Sequence, residues 1–182
     1  MKTANYLRLS IVSFALFLMA CPQPPSNPAE PFLEMQQLTL SDTIDGLDNI
    51  IKRLNFAFKL TDGDGNVGLK DEDTTGVFHP DSIFHYNCFA EMYRIENGDT
   101  SQINLNVPLQ YRIPYLEPAG ENKNLEAIVY INIDITLGNN PPDYDTVFYA
   151  LYIYDRDFNQ SNTISSPAVP FYSTGVYFPT QQ

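Results

Sequence analysis

The segment EAIVYINIDITL, residues 126–137, sets the strongest limit on what this chain can fold into. Ala127, Val129, Ile131, Ile133 and Ile135 occupy every second position, with Asn132 and Asp134 among the residues between them. An extended strand, whose side chains point alternately to opposite faces, turns that spacing into one apolar face and one wettable face. A helix would scatter the same residues around its circumference. LNFAFKL at 54–60 repeats the pattern, with Leu54, Phe56, Phe58 and Leu60 opposite Asn55, Ala57 and Lys59. TVFYALYIY at 146–154 is apolar on both faces, which predicts a central strand or a covered outer face with tyrosines at its edge.

Gly, Pro, Asn and Asp punctuate these runs, leaving candidate strands at 33–40, 51–60, 82–95, 107–115, 126–137, 146–154 and 162–171. No stretch sustains a helical period, and LDNIIKR at 47–53 offers one or two turns at most. Seven such strands predict an all-β fold, an antiparallel sandwich of the immunoglobulin-like or fibronectin-like kind. The chain has no Trp and only two Cys, which excludes the tryptophan-and-disulfide core of an antibody domain. With 182 residues, 43% of them hydrophobic, one domain over 32–182 is expected.

The N-terminus reads MKTANYLRLSIVSFALFLMAC. Lys2 and Arg8 precede an apolar run at 9–20 that falls short of the roughly 20 residues needed to cross a bilayer, so residues 1–20 read as a signal peptide. Leu18-Met19-Ala20-Cys21 resembles the lipobox of bacterial lipoproteins. The resemblance implies cleavage after Ala20, a diacylglycerol on the Cys21 thiol and an acylated new amino terminus, a firmer anchor than one marginal acyl chain. A soluble secreted protein whose signal happens to end in Cys is the alternative. CPQPPSNPAEPF then reads as a proline-rich tether over 21–31, which disfavours a Cys21–Cys88 bridge. Cys88, inside FHYNCFAEMY, reads as a small buried apolar side chain.

Behind that lipobox, FKLTDGDGNVGL, YRIPYLEPAGENKNLEAIVYINIDI and YALYIYDRDFNQSNTISSP resemble, in this order, a group of uncharacterised lipoproteins from Bacteroidota. The resemblance implies a lipid-anchored place in the cell envelope, at the outer membrane, and carries no activity. The third segment also resembles the closing hairpin of bacterial immunoglobulin-like domains, D-x-x-G-N-x-S. Asp155, Asn159 and Ser161 match it, and Phe158 stands where the glycine would be.

Ten basic and 22 acidic residues give a net charge of -12. That surplus repels nucleic acid and excludes it as a partner, whereas it suits a divalent cation, a basic partner or simple solubility. The acidic stretch of most interest is KLTDGDGNVGLKDED at 59–73. Read as an EF-hand it places Asp62, Asp64 and Asn66 at positions 1, 3 and 5, but Val67 at 6 and Asp73 at 12, with no flanking helix. That pattern argues against a true EF-hand. The Asp-x-Asp-x-Asn core can still aim oxygens at calcium, and the same letters also encode a plain turn. In an immunoglobulin-like sandwich the loops after the second and sixth strands share one end. Asp62, Asp64, Asn66, Asp71, Asp73, Asp155 and Asp157 are thus the candidate calcium ligands, with Asn159 beside them and Arg156 as an alternative neutralising charge.

Other chemistry is thin. His79 and His85 match no zinc spacing, SSP at 165–167 has no nucleophile elbow, and Gly63, Gly65 and Gly68 join strands without opening a helix. The expected function is non-catalytic: a binding, adhesive or scaffold module anchored to the membrane and meeting an unidentified protein or glycan ligand. The alternative is a glycan-binding accessory lipoprotein or small hydrolase of a nutrient-uptake system. Tyr144, Tyr149, Tyr152 and Tyr154 could furnish a recognition face or simply pack.

Overall fold

The structure, a computed structural model, describes residues 27–118, 123–137 and 143–179. The signal peptide, Cys21 and the tether up to residue 26 lie outside the described residues. Strands β1 (Phe32–Ile44) and β2 (Ile50–Asp62) form one long antiparallel hairpin with a bulge between Met35 and Gln37. Its turn is built by Asp45, whose carboxylate accepts the N–H groups of Leu47 (2.8 Å) and Asn49 (2.9 Å), with Asp48 at a φ of 61°. The short helix allowed at 47–53 is therefore absent. Local Asp-to-backbone bonds favour the turn, and Ile50 already belongs to β2.

The remaining strands are β3 (Cys88–Glu96), β4 (Asp99–Ile103), β5 (Leu109–Tyr111), β6 (Leu125–Thr136), β7 (Thr146–Ile153), β8 (Ile164–Ser165), β9 (Val169–Pro170) and β10 (Gly175–Tyr177). One sheet has the order β10-β1-β2-β6, and the other β4-β3-β7-β8, with β5 on β3 and β9 on β7. All the strand pairs are antiparallel, and the two sheets pack as a sandwich. The second strand pairs with the first and with β6 in one sheet, while β3 pairs with β7 in the other, which is the immunoglobulin-like order.

The described residues form ten strands, against about seven expected, and each difference has a local cause. Ile83–His85 forms a 3₁₀ turn, so the strand expected from residue 82 begins at Cys88. The run at 107–115 pairs only over Leu109–Tyr111. The last expected strand divides into β8 and β9 around Pro167, which has no N–H to donate. Side chains patch that gap: Ser166 Oγ accepts the Tyr149 N–H and Ser161 Oγ accepts that of Ile153, both at 3.0 Å. β4 carries the polar sequence DTSQI on an edge and therefore shows no alternation to detect.

The alternation itself holds. Leu54, Phe56, Phe58 and Leu60 are fully buried, as are Val147, Tyr149, Leu151 and Ile153 on β7. Full burial of each such side chain contributes about 1.5–3 kcal/mol. β7 is central, and its outer face is covered by rings: Phe148 stacks on Tyr93 (5.0 Å) and Tyr152 on Phe89 (5.5 Å). The four tyrosines do not form one face, because Tyr149 is in the core and Tyr144 packs on Phe171.

The Tyr149 hydroxyl is buried and has no hydrogen-bond partner among the described residues. Leaving such a group unpaired costs about 1–3 kcal/mol. Tyr149→Phe should therefore raise the urea midpoint, by the equivalent of about 1 kcal/mol. A lowered midpoint would mean that the hydroxyl is satisfied in solution.

Candidate metal centre

Side chains on β2 at 54, 56, 58 and 60 share the inward face, and the next residue of that file is Asp62. On β7 the inward file 147, 149, 151 and 153 is continued just past the strand by Asp155. The two files face each other across the sandwich, and both end at the same pole. Asp62 is 0% exposed and Asp155 4% exposed. Strand periodicity thus delivers two carboxylates to the rim of the core. Asp64, two residues into the β2–β3 loop, adds a third.

One carboxylate oxygen from each of Asp62, Asp64 and Asp155 lies within 4.8 Å of the other two. Asn66 ties the group together. Its backbone N–H donates to Asp62 Oδ2 (2.9 Å), and its Nδ2 donates to Asp64 Oδ2 (3.2 Å) and Asp157 Oδ2 (2.9 Å). Across the gap, the Arg156 N–H donates to the Asn66 carbonyl (3.3 Å). Asp155 is held by the N–H groups of Asp157 (2.9 Å) and Asn159 (2.8 Å) and by Asn159 Nδ2 (2.8 Å). The two loops expected at one end therefore do meet there.

Two of the candidate ligands are elsewhere. Asp73 forms an ion pair with Arg156 and accepts the Lys70 N–H (2.8 Å). That guanidinium holds the Asp73 carboxyl below the usual carboxylate range. Asp71 is exposed in the turn that follows Lys70. The cause lies in Leu69, whose N–H donates to the Ile113 carbonyl (2.9 Å) and whose carbonyl accepts the Tyr115 N–H (3.0 Å). That pairing carries the chain away from the centre before position 12 of an EF-hand would be reached. Arg156, considered as a charge for the cluster, is thereby committed to Asp73. Among the described residues no Lys or Arg forms an ion pair with Asp62, Asp64 or Asp155.

The electrostatics follow. Burial, then the charge of Asp64, pushes the Asp62 carboxyl up to about 7, against the pull of the Asn66 N–H. Burial also raises Asp155, against the bonds from Asn159 and Asp157. Oxygen is the only donor type at the centre. Cys88 is sealed in the core with its thiol pushed upward by burial, His85 Nδ1 lies 3.1 Å from the Phe78 carbonyl oxygen, and His79 is beside Asp81.

Sequence reasoning missed the neighbours that pack on this loop. The Gly63 N–H donates to the Pro28 carbonyl (2.8 Å), and a Cβ on Gly63 would sit 2.0 Å from the Asn27 oxygen. The end of the tether therefore lies directly on the Asp62–Asp64 turn, and no sequence signal marks such a contact. Compared with protein-family models, with curated proteins and with solved structures, the chain finds no match, so no relative assigns chemistry to this pole.

Phe158 adopts a φ of 67° and so does take the left-handed place of the hairpin glycine. Its ring rests 4.5 Å from Phe84 and 6.2 Å from Phe78, centroid to centroid. A non-glycine residue there costs about 1 kcal/mol of backbone strain. Phe158→Ala should lose the ring contacts and keep the strain, whereas Phe158→Gly should lose both. The glycine variant should therefore be the more stable of the two by about 1 kcal/mol in denaturant unfolding. Equal midpoints would remove the strain from the account.

Proposed function

We propose that this chain is a non-catalytic lipoprotein of the bacterial cell envelope, akin to those of Bacteroidota, anchored through Cys21 and carrying its sandwich as a binding, adhesive or scaffold module. The observation that carries this reading is the placement of the reactive side chains. Cys88 is walled into the core, Ser161 and Ser166 are spent on the β7 backbone, and neither histidine reaches the acidic pole. A hydrolytic nucleophile needs a base within hydrogen-bond reach, and these placements supply no such pair. Anchoring rests on the lipobox residues 18–21 and on the short span between Cys21 and Asn27, the first described residue, which already bonds to Asn124 Oδ1 (3.2 Å).

One feature favours a glycan ligand as the second reading. Residues 104–108 loop away between β4 and β5 and leave a cleft of about 280 Å³ beside Phe89 and Tyr152, rimmed by the amides of Gln102, Asn104 and Gln110. Aromatic floors with amide rims suit neutral sugars, through ring stacking and hydroxyl hydrogen bonds.

The anchor is tested in a bacterial expression host. The parent should partition into Triton X-114 and carry a mass increment of acyl chains on Cys21, and Cys21→Ala should abolish both. A parent chain recovered unacylated from the aqueous phase would reject the anchored reading.

A further inference from the structure

We infer that the pole formed by Asp62, Asp64 and Asp155 is a calcium site, completed by Asn66 and flanked by Asp157. Acidic clusters are common on protein surfaces without an ion, so the inference rests on burial and on missing partners. Asp62 is 0% exposed, and its Oδ1 has no hydrogen-bond donor among the described residues. Asp64 Oδ1 and Asn66 Oδ1 are likewise buried at the atom and without a partner among the described residues. Three buried oxygens without donors, on residues 62, 64 and 66 of one turn, are an uncompensated cost in any protein that gains nothing from them. The amide oxygen of Asn66 carries no formal charge and still lacks a donor, so the shortage of partners extends beyond the carboxylates.

Spacing fits one ion. Oxygens on opposite sides of a calcium lie about 4.6–5.2 Å apart at its usual 2.3–2.6 Å bond length, and donors closer together than that can share it. The three carboxylates satisfy this limit, being mutually within 4.8 Å. Asp62 Oδ2 accepts the Asn66 N–H and Asp155 Oδ1 accepts those of Asp157 and Asn159, so these two carboxylates are held in place before any ion arrives. Donor chemistry narrows the metal. With neither imidazole nor thiolate in reach among the described residues, zinc and copper lack their preferred ligands there, and a hard cation is favoured. Magnesium demands near-ideal octahedral geometry and retains its waters, whereas calcium tolerates an irregular set of carboxylate and amide oxygens.

Such an ion would fasten the two loops in addition to Asn66–Asp157 and Arg156–Asp73. It would cancel the repulsion among three carboxylates that Arg156 leaves unanswered.

The test uses the purified protein, in detergent if acylated, with calcium chloride as the probe. Equilibrium dialysis should give one calcium per chain. Melting should shift upward by several degrees in 1 mM calcium relative to chelator, and less in 1 mM magnesium. Asp64→Asn retains the side-chain shape and removes one charge. It should melt at or above the parent in chelator, because repulsion is relieved, and lose at least tenfold in calcium affinity. That pairing separates a metal site from a structural carboxylate, whose replacement would destabilise the chelated form. Asp99→Asn, on the exposed edge strand β4, should behave as the parent does. No bound calcium at 10 mM, or an identical calcium response in Asp64→Asn, would overturn the site, and equal stabilisation by magnesium would overturn its assignment to calcium. None of these readouts depends on Cys21, so the anchor and the ion stand or fall separately.

Discussion

Everything at the loop pole follows from the fact that a strand cannot change which face a residue occupies without a bulge. The face that buries Leu54, Phe56, Phe58 and Leu60 must also carry Asp62 inward, because no irregularity separates Asp62 from Leu60 in the pairing with β6. On the opposite sheet Ile153 is followed at the same parity by Asp155, kept in file by the Tyr154–Gln160 bridge. Apolar burial on the scale of several kcal/mol per strand thus holds two carboxylates where water is scarce. The acidic pole is an extension of the core, not a decoration of the surface.

Holding those carboxylates requires that the long β2–β3 connection not swing away, and the sequence invests two arginines in it. Arg112 donates to the carbonyls of His85 (2.5 Å), Lys70 (3.0 Å) and Asp73 (3.2 Å), while Arg156 pairs with the Asp73 carboxylate. Val67 and Leu69, both buried, nail the beginning of the connection to the segment around Ile113. Asn87 secures its far end by exchanging two side-chain bonds with the Ile113 backbone. A connection with so little regular structure is therefore stitched by side chains at intervals along its length.

Much of this was legible in the residues themselves. Alternation along 54–60 and 126–137 located the sheets, and the order of the loops placed DGDGN opposite DRDFN. What escaped was set by contacts distant in sequence. Asp73 stood among the candidate ligands, but Leu69 pairs with 113–115 and turns it toward Arg156. β4 and β10 were invisible because they are short, partly exposed edge elements whose pairing, rather than pattern, defines them. The reverse case is Phe158, where the sequence broke a glycine pattern and the backbone kept the turn anyway.

The bond from Gly63 to Pro28 fixes more than a loop, because it decides which pole of the sandwich the chain enters. From Cys21 to Asn27 there are six peptide steps, at most about 20 Å when fully stretched. A molecule held at Cys21 would therefore keep its acidic pole close to the lipid head groups. The thirteen residues of β1 extend about 43 Å in the other direction. The β1–β2 turn, with Leu47 83% exposed at its tip, would then face outward and meet an approaching partner first. Orientation alone would then leave recognition of other molecules to the sandwich's sides and far end.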